Sequence, residues 1–286
     1  MQTTPTSRLS VLTRYFEFSR VEDPDLLAAA LQLRYQVYCQ ERHFLDPDQY
    51  PQQLETDPYD SHSVHFVGRH RYRTLAASTA RLVLPSHLGF PLQQHCVFHP
   101  DFAFIGEAGH PALRHYAELS RLAVSKRFQQ RPGDTLYGGP PRPPGTLEPV
   151  APQASPEAAG PEIIAGLFKR MYQETKRLGI TDLVVAMERG LHLLLRRMGY
   201  RFHAIGPVVD YYGPVMPYTK NIAELERDLY RWHRPLFDFM IEGLEPECVP
   251  PHCVITGGLD HCANVTAANG QRHDERVRTE PSYGEA

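Results

Sequence analysis

The sequence predicts a mixed α/β fold, a twisted central sheet with helices on both faces. Three observations carry this. Short apolar or alternating segments crowd the first half of the chain, near residues 15–18, 63–69, 76–84 and 118–124. A helix–strand–helix–strand run follows residue 160, where Ile163, Ile164, Leu167, Phe168, Met171 and Tyr172 recur at helical spacing. The 286 residues are 42% hydrophobic and 10% aromatic, enough for a sizeable core, which excludes collagen, coiled coil and full disorder.

Each element has a local cause. Tyr15-Phe16-Glu17-Phe18 alternates as a strand does. Asp23-Pro24-Asp25 opens a helix with an acidic cap and an early proline, and Leu26, Leu27, Ala30, Leu31, Leu33, Arg34, Val37 and Tyr38 continue it. Residues 44–59 read as irregular. Ser63–Arg69 and Ala76–Leu84 form a hairpin turning near Tyr72-Arg73-Thr74, and Glu118–Val124 is a further strand. Pro161–Gly179 is the clearest helix, with proline at its start and Gly179 just past its end. Thr181–Met187 is a buried strand and Gly190–Gly199 a short helix. Phe202–Val209 and Val215–Lys220 are final strands, and Glu224–Glu242 is a last amphipathic helix.

The chain has 26 prolines, well above ordinary usage. Eight fall between Gln129 and Gly160, in a stretch with few large apolar residues that reads as a polyproline-rich insert. The expected organisation is one domain over 11–245 carrying the insert 129–160, followed by a polar tail over 246–286. The net charge of −3 gives no field for nucleic acid. Five cysteines at irregular spacing predict reduced thiols. No signal-like segment or apolar run of membrane-spanning length occurs, so no integral membrane segment and a cytoplasmic location are expected. Cys248, Cys253 and Cys262, with His252 and His261, lack standard zinc spacing, and no metal is expected.

Four clusters could carry chemistry. Arg34 and Tyr38 lie four apart on a helix, with Phe44 following; alone they read equally as an exposed cation beside a core ring. Glu55, Asp57 and Asp60 repel one another unless a cation, amine or metal balances them, or solvent surrounds them. Arg81 interrupts an apolar strand and needs a partner unless it sits at an exposed edge. In the strand Glu118-Leu119-Ser120-Arg121, alternation puts Glu118 and Ser120 on one face and Leu119 and Arg121 on the other. Glu118 is a candidate general base, or a structural partner for an arginine.

Together these clusters resemble the autoinducer (acyl-homoserine-lactone) synthases. RYQVYCQERHF, ETDPYD, TARLV and ELSRLAV stand in that family's order of motifs. The wording RYQVYCQERHFL and the E-x-D-x-YD segment are similar to acyltransferases associated with the PEP-CTERM/exosortase system and to N-acyl amino acid synthases. The resemblance covers roughly residues 15 to 220. It implies the GNAT acyl-CoA N-acyltransferase fold and transfer of a fatty acyl group from a thioester to the amine of a small acceptor. It implies catalytic roles for Glu118 and Ser120. Arg34, Tyr38, Phe44, Asp57, Asp60, Arg81 and Arg121 would form the acceptor pocket and a charged network around it. The sequence departs from the family where Trp is usual and Phe44 stands. It also lacks the glycine-rich pyrophosphate loop after the ELSRLAV strand. Arg127 and Arg131 are the candidate substitutes for that loop, and acyl carrier protein stands level with acyl-CoA as donor. Two rivals are a conventional acetyl-CoA enzyme and an inactive binding module.

Overall fold

The computed structural model describes residues 12–72, 76–128 and 160–250. The proline-rich insert and Arg131 lie outside them, as do residues 251–286 with Cys253 and Cys262. The compact unit that holds the sheet ends at Leu244. Of the unit that begins at Glu245, one 3₁₀ turn, Pro246–Cys248, is described.

Eight strands form one sheet: β1 (Phe16–Arg20), β2 (Ser63–His70), β3 (Ala76–Val83), β4 (Tyr116–Val124), β5 (Asp182–Glu188), β6 (His203–Ala204), β7 (Val209–Asp210) and β8 (Pro214–Asn221). Their order is β1-β2-β3-β4-β5-β8-β6, with β7 also on β8. Every pairing is antiparallel except β4–β5. Successive residues of β3 are buried from Ala77 to Val83, as expected of a strand covered on both faces. Helices α1 (Pro24–Tyr35) and α3 (Gly160–Arg177) both pack on it.

Helix α1 starts where the sequence places it: the Asp23 carboxylate accepts the Leu26 N–H, and Pro24 occupies the first turn. It hands over at Gln36 to one π-helical turn, Gln36–Glu41, a feature frequent at functional sites. Helix α2 (Leu92–His95) lies in a stretch of 3₁₀ turns between β3 and β4. Helix α4 (Arg189–Met198) follows β5 and ends at Gly199, whose φ of 102° suits the left-handed cap.

Two expectations change. The segment 202–209 is not one strand but two fragments, β6 and β7, separated by a turn. The last helix is two, α5 (Ile222–Trp232) and α6 (Arg234–Ile241), broken at His233. Pro235 supplies the reason, because it lacks the N–H a continuous helix would need and starts a new first turn instead.

Phe18 of β1 fixes how α3 sits on the sheet. Its ring fills the space that side chains would take at Gly166 of α3 and Gly68 of β2. Gly166→Ala would press a methyl into that ring, so urea denaturation is expected to show a loss of about 1–3 kcal/mol. Coupling Gly166→Ala with Phe18→Leu should recover part of it.

Candidate active site

The ETDPYD segment is a local device for aiming carboxylates. Asp57 caps the 3₁₀ turn Pro58–His62, accepting the Tyr59 N–H at 2.9 Å, while Asp60 accepts the Asp57 N–H at 2.8 Å. This reciprocal capping box fixes both side chains, and the Glu55 N–H ties the segment to the Leu31 carbonyl of α1.

Three arginines meet these carboxylates. Arg34, fully buried, donates to Glu55 Oε2 at 2.5 Å and to Asp60 at 2.6 Å. Arg81, also fully buried, forks onto Asp57 at 2.5 and 2.8 Å, reaches Asp60 at 2.5 Å, and donates Nε to Ser120 Oγ at 3.0 Å. Arg121 reaches Glu55 at 3.1 Å and Asp57 at 3.0 Å. Three cations face three carboxylates, so the network is neutral as a set. Burial alone would raise the Asp60 pKa, but Arg34 and Arg81 outweigh it and hold it at about 2. A carboxyl depressed in the fold stabilises above its unfolded value of 3.8 and stops doing so as pH falls toward 2. Denaturation between pH 4 and pH 2 is expected to show about 2 kcal/mol lost through Asp60. Asp60→Asn should be less stable at pH 5 and flatter across that window.

Arg121 does not follow strand alternation. Its φ is +51°, and the β3–β4 register shifts around it, with Arg81 opposite Ser120 and Thr79 opposite Ala123. This is a β-bulge, one extra residue in β4. It brings Arg121 to Asp57, the carboxylate Arg81 also holds, instead of to the opposite face from Ser120.

Beside the bulge the sheet opens. β4 and β5 pair only at Tyr116–Asp182, Ala117–Leu183 and Glu118–Val184, and then part. A cleft of about 180 Å³ fills the gap. Its lining takes in Tyr38, Phe44, Glu118, Ser120 and Arg121 together with the apolar side chains of Phe168, Met171 and Leu195.

Glu118 is the chemically distinctive group. It is 2% exposed, and the Leu92 N–H at the start of α2 donates to its Oε2 at 3.0 Å. Burial pushes its pKa up to about 8, against the pull of that N–H and of Arg81 and Arg121. A carboxyl so placed keeps its proton near neutrality and gives it up just above, the range a general base or acid needs.

Residues 33–138 match a family model described as an acetyltransferase (GNAT) domain. Among solved structures, the chain superposes on TofI, in a ternary complex with an inhibitor and MTA, with a TM-score of 0.52. Identity there is 18%, over 82% of this chain and 99% of that one. The fold is that of the GNAT acyltransferases. FeeM, an N-acyl amino acid synthase from uncultured soil microbes, follows at 12% identity and a TM-score of 0.48, over 76% of this chain and 96% of its own. The acyl-homoserine-lactone synthase LasI follows at 16% and 0.46, over 72% and 89%. No curated protein sequence matches the chain.

In this fold, the nine residues expected in the site around Glu118 divide into two layers. Tyr38, Phe44, Glu118, Ser120 and Arg121 line the cleft, whereas Arg34, Asp57, Asp60 and Arg81 stand behind it as a charged strut. Tyr38 donates to the Leu122 carbonyl at 2.9 Å and packs on Phe44 with centroids 6.3 Å apart. Ser120 is engaged with Arg81. Arg127 is exposed in the 3₁₀ turn Lys126–Phe128 and does not line the cleft.

That turn directly follows β4. Its amides are already used by the protein: Lys126 N–H faces Glu41, and Arg127 N–H and Phe128 N–H face Ser125.

Four contributors were not assigned to the site from the sequence. Glu55, fully buried, joins Arg34 to Arg121; its place in the acidic segment was the available signal. Tyr211 and Tyr212 line the cleft from the turn between β7 and β8. Tyr211 stacks on His95 with centroids 3.9 Å apart and lies beside Arg121. The adjacent tyrosine pair was its only trace. The Leu92 N–H, a backbone group, left none. Among the described residues no cluster of metal-ligating side chains occurs.

Proposed function

We propose that this chain is an N-acyltransferase that moves a fatty acyl group from a thioester donor to the primary amine of a small acceptor. The observation that carries the reading is the pairing of Glu118, a buried carboxyl with a pKa of about 8, with a cleft that runs on into apolar side chains. Amine acylation needs a proton acceptor, a polarised carbonyl and two reactants held in register.

In this reading Glu118 takes the proton from the acceptor ammonium or from a water beside it. The backbone of β4 beyond Glu118, unpaired with β5, offers hydrogen bonds to the donor's amide-rich arm. Phe168, Met171 and Leu195 enclose an aliphatic chain, which gains about 0.8 kcal/mol for each methylene buried. Tyr38 and Phe44 wall the acceptor side. Arg34, Asp57, Asp60, Arg81 and Arg121 hold β4, α1 and the acidic turn in place. With no glycine-rich pyrophosphate motif after β4 in the sequence, the donor is recognised through its thioester arm and chain, which suits an acyl carrier protein as well as coenzyme A. The association with the exosortase system rests on the wording of the sequence motifs alone.

The test is a donor panel. Acetyl, octanoyl and hexadecanoyl thioesters on coenzyme A and on acyl carrier protein are offered with pooled amino acids and amines, and products are read by mass spectrometry. N-acyl products from the long-chain donors are expected, with acetyl transfer at least tenfold slower. Preferred acetyl transfer would replace the reading with conventional acetyl-CoA chemistry. No product from any donor would replace it with a binding role.

A further inference from the structure

Helix α4 carries a surface that the acyl-transfer chemistry does not use. Its inner side, with Leu191 and Leu195, lines the cleft. Its outer side presents Arg189, Leu193, Arg196 and Arg197, at spacings of four, seven and eight residues that share one helix face. All four are exposed, Leu193 by 39%. Arg201, just beyond the helix, is exposed as well. Helix α4 contains no carboxylate, and among the described residues Arg189, Arg196, Arg197 and Arg201 form no ion pair. Glu188, the residue just before the helix, faces Arg42 instead. The chain as a whole is net negative, at −3, so this cationic face opposes the rest of the molecule.

The end of α5 adjoins it. His233 packs against Gly199 at the C-terminus of α4, so close that a Cβ there would meet the ring at 2.6 Å. Beside it stands Trp232, the chain's only tryptophan, 58% exposed, with the Arg231 guanidinium 4.8 Å above its ring. Arg201 lies close enough to His233 to act on its charge, so the exposed Trp232 ring and the guanidiniums of Arg201 and Arg231 share this end of the surface.

We propose that this face, formed by α4 and the end of α5, docks on an anionic lipid surface. Unpaired arginines suit phosphate headgroups. Trp232 and Leu193 suit the boundary just beneath them, where an amphipathic ring has one side apolar and the other wet. No helix among the described residues is long and apolar enough to cross a membrane, so the attachment is peripheral and reversible. The proposal does not depend on the acyl-transfer reading.

Trp232 is a built-in reporter. Full-length protein is titrated with vesicles of pure phosphatidylcholine and with vesicles containing phosphatidylglycerol, and both fluorescence and co-sedimentation are followed. A blue shift and sedimentation with the anionic vesicles only are expected, reversed by about 0.5 M salt. Each arginine near the surface contributes about fivefold to partitioning. The double variant Arg196→Glu/Arg197→Glu should therefore bind more than about a hundredfold more weakly while keeping its circular dichroism. No shift with anionic vesicles, equal shifts with neutral ones, or binding untouched by the double variant would overturn the proposal. So would a shift produced only by an acidic carrier protein, which would make this a protein interface.

Discussion

Glu118→Gln is expected to lower kcat by about 10²–10⁴-fold, the range a positioned general base contributes, with little change in the KM for the donor. The wild-type rate should climb with pH and level off above about 8, where the buried carboxyl has given up its proton. The residual rate of the variant should lack that limb. Stability should move in the opposite sense. A carboxyl whose pKa rises from 4.5 to about 8 on folding stabilises the fold fully below 4.5 and loses that contribution as pH rises through 8. The wild type should thus lose a few kcal/mol across that window, of order 1.4 kcal/mol for each pH unit between the two values, while the Gln variant should not. A variant that is inactive yet firmer at pH 9 separates chemistry from folding. Full turnover by Glu118→Gln would remove the base assignment.

Arg81→Met has the largest expected effect on stability. Arg81 is fully buried and serves Asp57, Asp60 and Ser120 at once, so its loss leaves three carboxylates facing two arginines in a place water reaches poorly. Breaking one side of such a pair costs about 3–5 kcal/mol, which in a domain of this size lowers Tm by roughly 10 °C. Arg81→Lys should recover little, because an ammonium cannot fork onto Asp57 and still reach Ser120. Thermal melts of the two variants decide this, and a shift under about 2 °C for either would show that the network is not a strut.

Particular residues show what the sequence could and could not reveal. Asp23-Pro24, the stripe from Ile163 to Tyr172 and the Gly199 stop act within a few neighbours, so helices α1, α3 and α4 were readable from their own segments. Arg81 inside an apolar strand forecast a partner, and the Glu55–Asp60 segment was the only nearby supply. Two things were hidden. Strand alternation put Arg121 on the wrong face, because no glycine marks the bulge and a register shift against β3 is a property of two strands. The Leu92 N–H that faces Glu118 belongs to a four-residue helix among turns, where no periodicity can develop. The break at His233, by contrast, was signalled by Pro235.

The parting of β4 from β5 has a mechanical side. Between Glu118 and the end of β4, no ladder pairing joins β4 to β5; the two strands meet over three residue pairs, with the Thr181 N–H on the His115 carbonyl just before them. A sheet so joined resembles a book bound near one corner of its spine. Whatever lies in the opening touches both leaves, so an occupant there is also a rivet. An occupant held along that line fastens the two halves together, as the missing ladder would have done.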